Sequence, residues 1–226
     1  MKQKQTILLL LLAFFGACTI PEPVAPPRQG QVLNLFILDT SGSDPWLTLT
    51  RNQIAQTIGR DSLYAVIYLA GIVIKENSRA QSPLVIGPIH PDMKPETGNA
   101  FHKGKIRMQN RDRRLQFFKS CGQQADSLAH FLLKRPKAGY SDVNGGLELA
   151  QTLCEQPSFA QSQIRIIVFC DLLQATKDGH PLHSFTFPVN TTIYLIGKAR
   201  GIDPAKVFPD NTVVELAQFQ PEFLQP

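Results

Sequence analysis

The chain predicts an α/β fold: a three-layer, mostly parallel central sheet with helices on both faces. Three observations predict it. Short apolar runs of strand length alternate with longer segments of helical periodicity. The runs are nearly continuous rather than alternating, as in strands covered on both faces. Two of them, ending at Asp39 and Asp171, close on a carboxylate, and open α/β sheets take their ligands beyond the carboxyl ends of their strands.

With 226 residues, 43% hydrophobic and 18% charged, the chain is long enough to bury one sizeable core and too apolar to be disordered. Its net charge of +5 favours anionic surroundings in general. Lys2 and Lys4 precede an apolar stretch from Ile7 to Phe15 that is too short to span a bilayer comfortably. Gly16-Ala17-Cys18 then resembles the lipobox of bacterial lipoproteins. That resemblance implies a signal peptide over residues 1–17 and a lipidated Cys18 as the mature N-terminus. The address is then the bacterial cell envelope, lipid-anchored to a membrane, with the domain on the extracytoplasmic side. An uncleaved anchor is the alternative. Residues 18–31 carry Pro21, Pro23, Pro26 and Pro27 without apolar periodicity, so they read as an extended tether, and residues 32–226 as the domain.

The first strand is Leu33 to Leu38, which breaks into Asp39-Thr40-Ser41-Gly42-Ser43 before Asp44 and Pro45, a good cap and first residue for a helix running from Trp46 to about Gly59. Leu63 to Ala70 reads as a second buried strand, continuing toward Ile74. Leu84-Val85-Ile86, among prolines, reads as a short edge strand. Gly98 to Met108 reads as a polar loop or extended piece. Arg111 to Leu133 reads as a long helix with Leu115, Phe118, Leu128, Phe131 and Leu132 on its apolar stripe. After a break at Pro136 to Tyr140, Ser141-Asp142-Val143-Asn144-Gly145-Gly146 leads into a helix ending near Cys154. Ile164 to Cys170 and Thr191 to Gly197 are further core strands, and Thr212 to Phe219 is an edge strand or a short helix.

The Asp39-x-Ser41-x-Ser43 pattern resembles the metal-ion-dependent adhesion site of von Willebrand factor type A (vWA) domains. Gly139-Tyr140-Ser141-Asp142 matches that family's second loop, with Ser in place of Thr. Asp171, ending a later central strand, matches the third. The resemblance covers roughly Val32 to Gly197, with the loops in the family's order. It implies a vWA (Rossmann-like) fold and a divalent-metal site of Asp39, Ser41, Ser43, Ser141 and Asp171. It further implies a non-enzymatic role in protein–protein interaction or adhesion. Carboxylate and hydroxyl oxygens are hard ligands, suited to Mg²⁺, Mn²⁺ or Ca²⁺. With two carboxylates facing a dication, the ion stays electrophilic toward an acidic residue of a protein partner. A metal-assisted hydrolase on the same fold and a degenerate vWA module without metal are the other readings.

Other chemistry is thin. His180-x-x-His183 falls in a loop with no third ligand nearby, and there is no glycine-rich phosphate loop. Cys170 sits in an apolar run as a buried thiol. Cys121 and Cys154, on successive helices, have two readings: a disulfide if the compartment is oxidising, or small buried thiols, the commoner outcome on helix faces. Lys103, Lys105, Arg107, Arg111, Arg113, Arg114 and Lys119 concentrate positive charge on one segment. It reads as a solvated helix face, or as a face that docks on anionic lipid headgroups or an acidic partner. No role with nucleic acid is expected.

Overall fold

The computed structural model describes residues 30–40, 49–61, 65–133, 139–173, 180–197 and 202–224. The expected signal segment over residues 1–17, Cys18, nearly all of the expected tether, and Ser41 and Ser43 lie outside the described residues.

The six strands are β1 (Gly30–Asp39), β2 (Ala65–Ile74), β3 (Leu84–Ile89), β4 (Ser162–Phe169), β5 (Thr191–Ile196) and β6 (Thr212–Leu216). They form one sheet in the order β3-β2-β1-β4-β5-β6. Every neighbouring pair is parallel except β2–β3. The helices are α1 (Arg51–Asp61), α2 (Ala100–Leu133), α3 (Val143–Cys154) and the single turn α4 (Pro204–Val207). This is the three-layer α/β architecture the sequence predicts. The chain leaves β1 toward β2 and β3, then crosses back to add β4, β5 and β6 on the other side. The reversal of strand order therefore falls between β1 and β4, where doubly wound sheets open a crevice.

Strand periodicity divides the core into two layers. Leu33, Leu35 and Ile37 of β1, with Ile72, Ile166 and Val168, pack against Val143, Leu147 and Ala150 of α3. Phe36 and Leu38, with Val73, Ile167 and Phe169, pack against Ile54 and Ile58 of α1 and Phe117, Cys121 and Leu128 of α2. Adjacent residues of one strand face opposite layers. That is why these runs are apolar at most positions, with Asn34 of β1 and Arg165 of β4 as buried exceptions. Gly71 of β2 lies against α2, and a Cβ there would come within 2.7 Å of Leu128.

Helix α1 starts at Arg51 because Thr50 and Gln53 cap each other: the Gln53 N–H donates to Thr50 Oγ1 at 3.2 Å and the Thr50 N–H to Gln53 Oε1 at 2.7 Å. Asp44 and Pro45, expected to start this helix, lie outside the described residues. The C-terminal segment completes the second layer without a long helix. Phe219 sets its ring edge-on to Phe36 and Phe169 at 6.0 and 5.8 Å, and its carbonyl accepts from Gln53 Nε2. Thr212–Leu216 is the edge strand of the two forms the sequence allowed.

Three expectations are corrected. The polar piece at Gly98 to Met108 is largely helix, because α2 begins at Ala100, where the Asn99 side chain accepts from the His102 N–H at 2.9 Å. A strap of residues 92–96 runs along its first turns: Asn110 bonds both the N–H and the carbonyl of Lys94, and Arg107 pairs with Glu96. The buried face of α2 is Ile106, Asn110, Phe117, Cys121, Ala125, Leu128 and Leu132, while Leu115 and Phe118 are exposed. Finally, Cys121 and Cys154 are free thiols and do not pair. The first is buried with α2 on one face of the sheet and the second with α3 on the other. The sheet separates them.

Candidate metal centre

Asp39 is the last residue of β1 and Asp171 follows β4 by two residues, so both leave neighbouring strands at the reversal of strand order. Ser141 reaches the same place from the loop ahead of α3. Its hydroxyl donates to Asp39 Oδ2 at 2.7 Å, with Ser141 1% exposed and Asp39 5%. A carboxylate oxygen of Asp39, one of Asp171 and the sulfur of Cys170 lie within 4.8 Å of one another.

The Ser141 loop is held by its neighbour. Asp142 caps α3, with Oδ1 accepting from the Gly145 N–H at 2.9 Å, while Oδ2 accepts from the Ser78 N–H at 3.1 Å and the Asp142 N–H donates to the Lys75 carbonyl at 3.0 Å. These bonds tie the start of α3 to the segment that leaves β2. Gly145 and Gly146 let the helix come that close: a Cβ on Gly146 would meet Ile74 Cγ1 at 2.6 Å, and one on Gly145 would strike the Asp142 carboxylate. Thr40, next to Asp39, donates its hydroxyl to the Ile74 carbonyl at 3.1 Å and so joins the end of β1 to β2.

Cys170 was legible in the sequence only as a core thiol. Here its S–H donates to Asp39 Oδ2 at 3.3 Å, and its sulfur accepts from the Leu172 N–H at 3.2 Å. Complete burial, reinforced by the Asp39 charge, pushes the thiol well above its ordinary value, so it remains a neutral donor behind the carboxylate. Leu172 turns the chain with φ of +60°, a backbone conformation that favours glycine, and the Leu173 N–H caps Asp171 Oδ1 at 2.9 Å. Burial raises the Asp171 carboxyl, the Leu173 hydrogen bond opposes the shift, and the nearby Asp39 charge adds to it. The buried Asp39 beside the half-buried Asp171 disfavours the charge of the Asp171 carboxylate, which a bound cation would relieve. Their oxygens and the Ser141 hydroxyl fit a hard divalent ion, for which a sulfur is the less suited ligand.

The structure thus brings Asp39, Ser141 and Asp171 together, while Ser41 and Ser43 lie outside the described residues. His180 and His183 are exposed on a segment hung from α3: Asn144 Nδ2 donates to the Pro181 carbonyl at 2.8 Å, and the His183 N–H donates to Asn144 Oδ1 at 2.9 Å. Sequence spacing had no means of linking Asn144 to that segment.

No protein-family model matches the chain, and no curated protein does. Among solved structures it is similar to the vWA domain of SpRpn10, with 9% sequence identity over 81% of this chain and 88% of that one and a TM-score of 0.32. The three-layer assignment rests on this chain's own strand order and core.

Proposed function

We propose that the chain is a lipid-anchored cell-envelope protein whose vWA-like domain binds a protein partner through a divalent cation, and that it is not an enzyme. One observation carries the reading: Asp39, Ser141 and Asp171, far apart in sequence, converge at the reversal of strand order. Asp39 and Asp171 would hold the ion with the Ser141 oxygen, and Ser41 and Ser43 are the remaining ligands the motif implies. When bound, the ion supplies an electrophilic site for a partner's carboxylate, with Mg²⁺ as first choice and Mn²⁺ or Ca²⁺ as alternatives. The chain's own residues supply the rest. Ser141 and Cys170 both donate to Asp39 Oδ2 and so orient it, and the Asp142 cap keeps Ser141 in place.

Titration calorimetry with Mg²⁺, Mn²⁺ and Ca²⁺ on the native chain and on Asp39→Asn tests it. The variant keeps the shape of the side chain and removes its charge. The expected result is one bound ion per native chain and none detectable on the variant, with circular dichroism unchanged. Equal affinities would remove Asp39 from the site.

A further inference from the structure

The first half of α2 carries a surface that the metal centre does not use. Phe101, Met108 and Leu115, seven residues apart, are between 57 and 85% exposed. A seven-residue step falls about 20° short of two turns, so the three share one slowly drifting face, and Phe118, 49% exposed, extends it by a turn. Lys105 flanks this face on one side and Arg111 and Arg114 on the other, all exposed. Residues 100–119 hold seven Lys or Arg and one acidic residue, Asp112. That surplus exceeds the net +5 of the whole chain, so the remainder is close to neutral. Beside the first turns lies a cleft of about 410 Å³ lined in part by Lys94, Thr97, His102 and Lys105.

This half of the helix projects from the end of the sheet opposite Asp39. Leu128 packs at the level of Gly71. Ala100 lies about 42 Å before it along the helix, at ~1.5 Å per residue, while Ala65, where β2 begins, is only about 20 Å below Gly71 at ~3.3 Å per residue. Gly30 pairs with Ala65 at that same lower edge, and the Pro-rich tether enters there. From Cys18 to Gly30 such a tether spans up to about 37 Å at ~3.1 Å per residue.

We propose that the exposed face of α2 from Phe101 to Phe118 docks on the anionic headgroup surface of the membrane that carries the anchor, with Asp39 pointing away from it. The proposal rests on the anchored reading above for where the chain is held. The docking chemistry itself is independent of that reading. Phe101, Met108 and Leu115 enter the headgroup boundary, while Lys105, Arg111 and Arg114 meet lipid phosphates, the division of labour of an interfacial helix. No helix among the described residues is long and apolar enough to cross a membrane. The short leash holds the helix near the bilayer, and the docked helix in turn fixes which way the metal centre faces.

The test is hydrogen exchange on the full-length chain reconstituted with vesicles of phosphatidylglycerol and phosphatidylcholine, against vesicles of phosphatidylcholine alone. The expected result is severalfold slower exchange across residues 101–118 on the anionic vesicles only, lost when salt is raised to shorten the screening length from about 10 to about 3 Å. The triple variant K105E/R111E/R114E should lose the protection, as should F101S/M108S. All these side chains are exposed, and unchanged melting curves would show that the fold survives. Exchange that is the same on both vesicles overturns the proposal, and so does equal protection in native chain and variants. Protection that grows with protein concentration without vesicles assigns the face to a second copy and also overturns it. The mass of the N-terminal peptide reports acylation of Cys18 separately. An unacylated chain protected only on anionic vesicles would keep the docking and sink the anchor.

Discussion

Arg165 and Asp61 meet 2.8 Å apart in the layer between the sheet and α1, their side chains 1% and 3% exposed. Arg165 stands beside Asn34 in the register of β1 and β4, and the Asn34 amide donates to Asp61 Oδ2 at 2.8 Å. One carboxylate at the end of α1 thereby receives donors from two adjacent strands and ties the helix to the centre of the sheet. Such a pair is costly to bury and more costly to break, because removing one partner strands the other charge.

Arg165→Met should therefore destabilise the fold by about 3–5 kcal/mol, and adding Asp61→Leu should restore much of the loss. Urea denaturation of the single and double variants measures both. A single variant within about 1 kcal/mol of the native chain would show that Asp61 finds another donor.

The thiols provide a second expectation. Burial pushes Cys121 up to about 11 and Cys154 up to about 12 from an ordinary value of 9.0. Native thiols should react with iodoacetamide at pH 8 far more slowly than those of the chain in urea, and non-reducing peptide maps should recover both as free cysteines. Above pH 9.0 the unfolded chain releases these protons while the native chain keeps them, so stability should fall as pH rises from 9.0 toward 11 and 12. Denaturation midpoints measured across that window give the sign, and midpoints that rise would contradict it.

The sequence made the sheet and most of the candidate site residues legible for a physical reason: a strand covered on both faces is mostly apolar, and β1 and β4 are, apart from the buried Asn34 and Arg165 and the polar residues at their starts, until each yields to a carboxylate. Asp39, Ser141 and Asp171 stood out as oxygen-bearing residues at strand and helix ends. Cys170 did not, because a cysteine after Ile166-Ile167-Val168-Phe169 reads as packing, and only the fold shows Asp39 Oδ2 beside its sulfur. The start of α2 was hidden because its first turns bury little besides Ile106 and Asn110, which leaves no apolar period to read. The Asn99 cap was the available signal. The disulfide failed on topology. Helices consecutive in sequence invite pairing, but between α2 and α3 the chain passes from one face of the sheet to the other, and no spacing along the sequence records that crossing.

The close approach of α3 to β2 gives the last expectation. Gly146 sits one turn into α3, where an added Cβ would lie 2.6 Å from Ile74 Cγ1 and 3.3 Å from Ile74 Cδ1. Alanine favours a helix over glycine by up to about 1 kcal/mol, so an open site would gain from Gly146→Ala. Here the clash dominates, since overpacking a close-packed core costs about 1–3 kcal/mol. The strain is relieved by moving the start of α3 away from β2, and Ser141 travels with it through the Asp142 cap. Gly146→Ala should accordingly lower both the melting temperature and divalent-ion affinity. Ile74→Ala removes the two clashing carbons, so the double variant I74A/G146A should regain ion affinity relative to G146A even though the cavity at Ile74 keeps its stability low. Calorimetric titration beside thermal melting separates the two effects. Loss of affinity in G146A without recovery in the double variant would mean that Ile74 does not set the distance between α3 and Asp39.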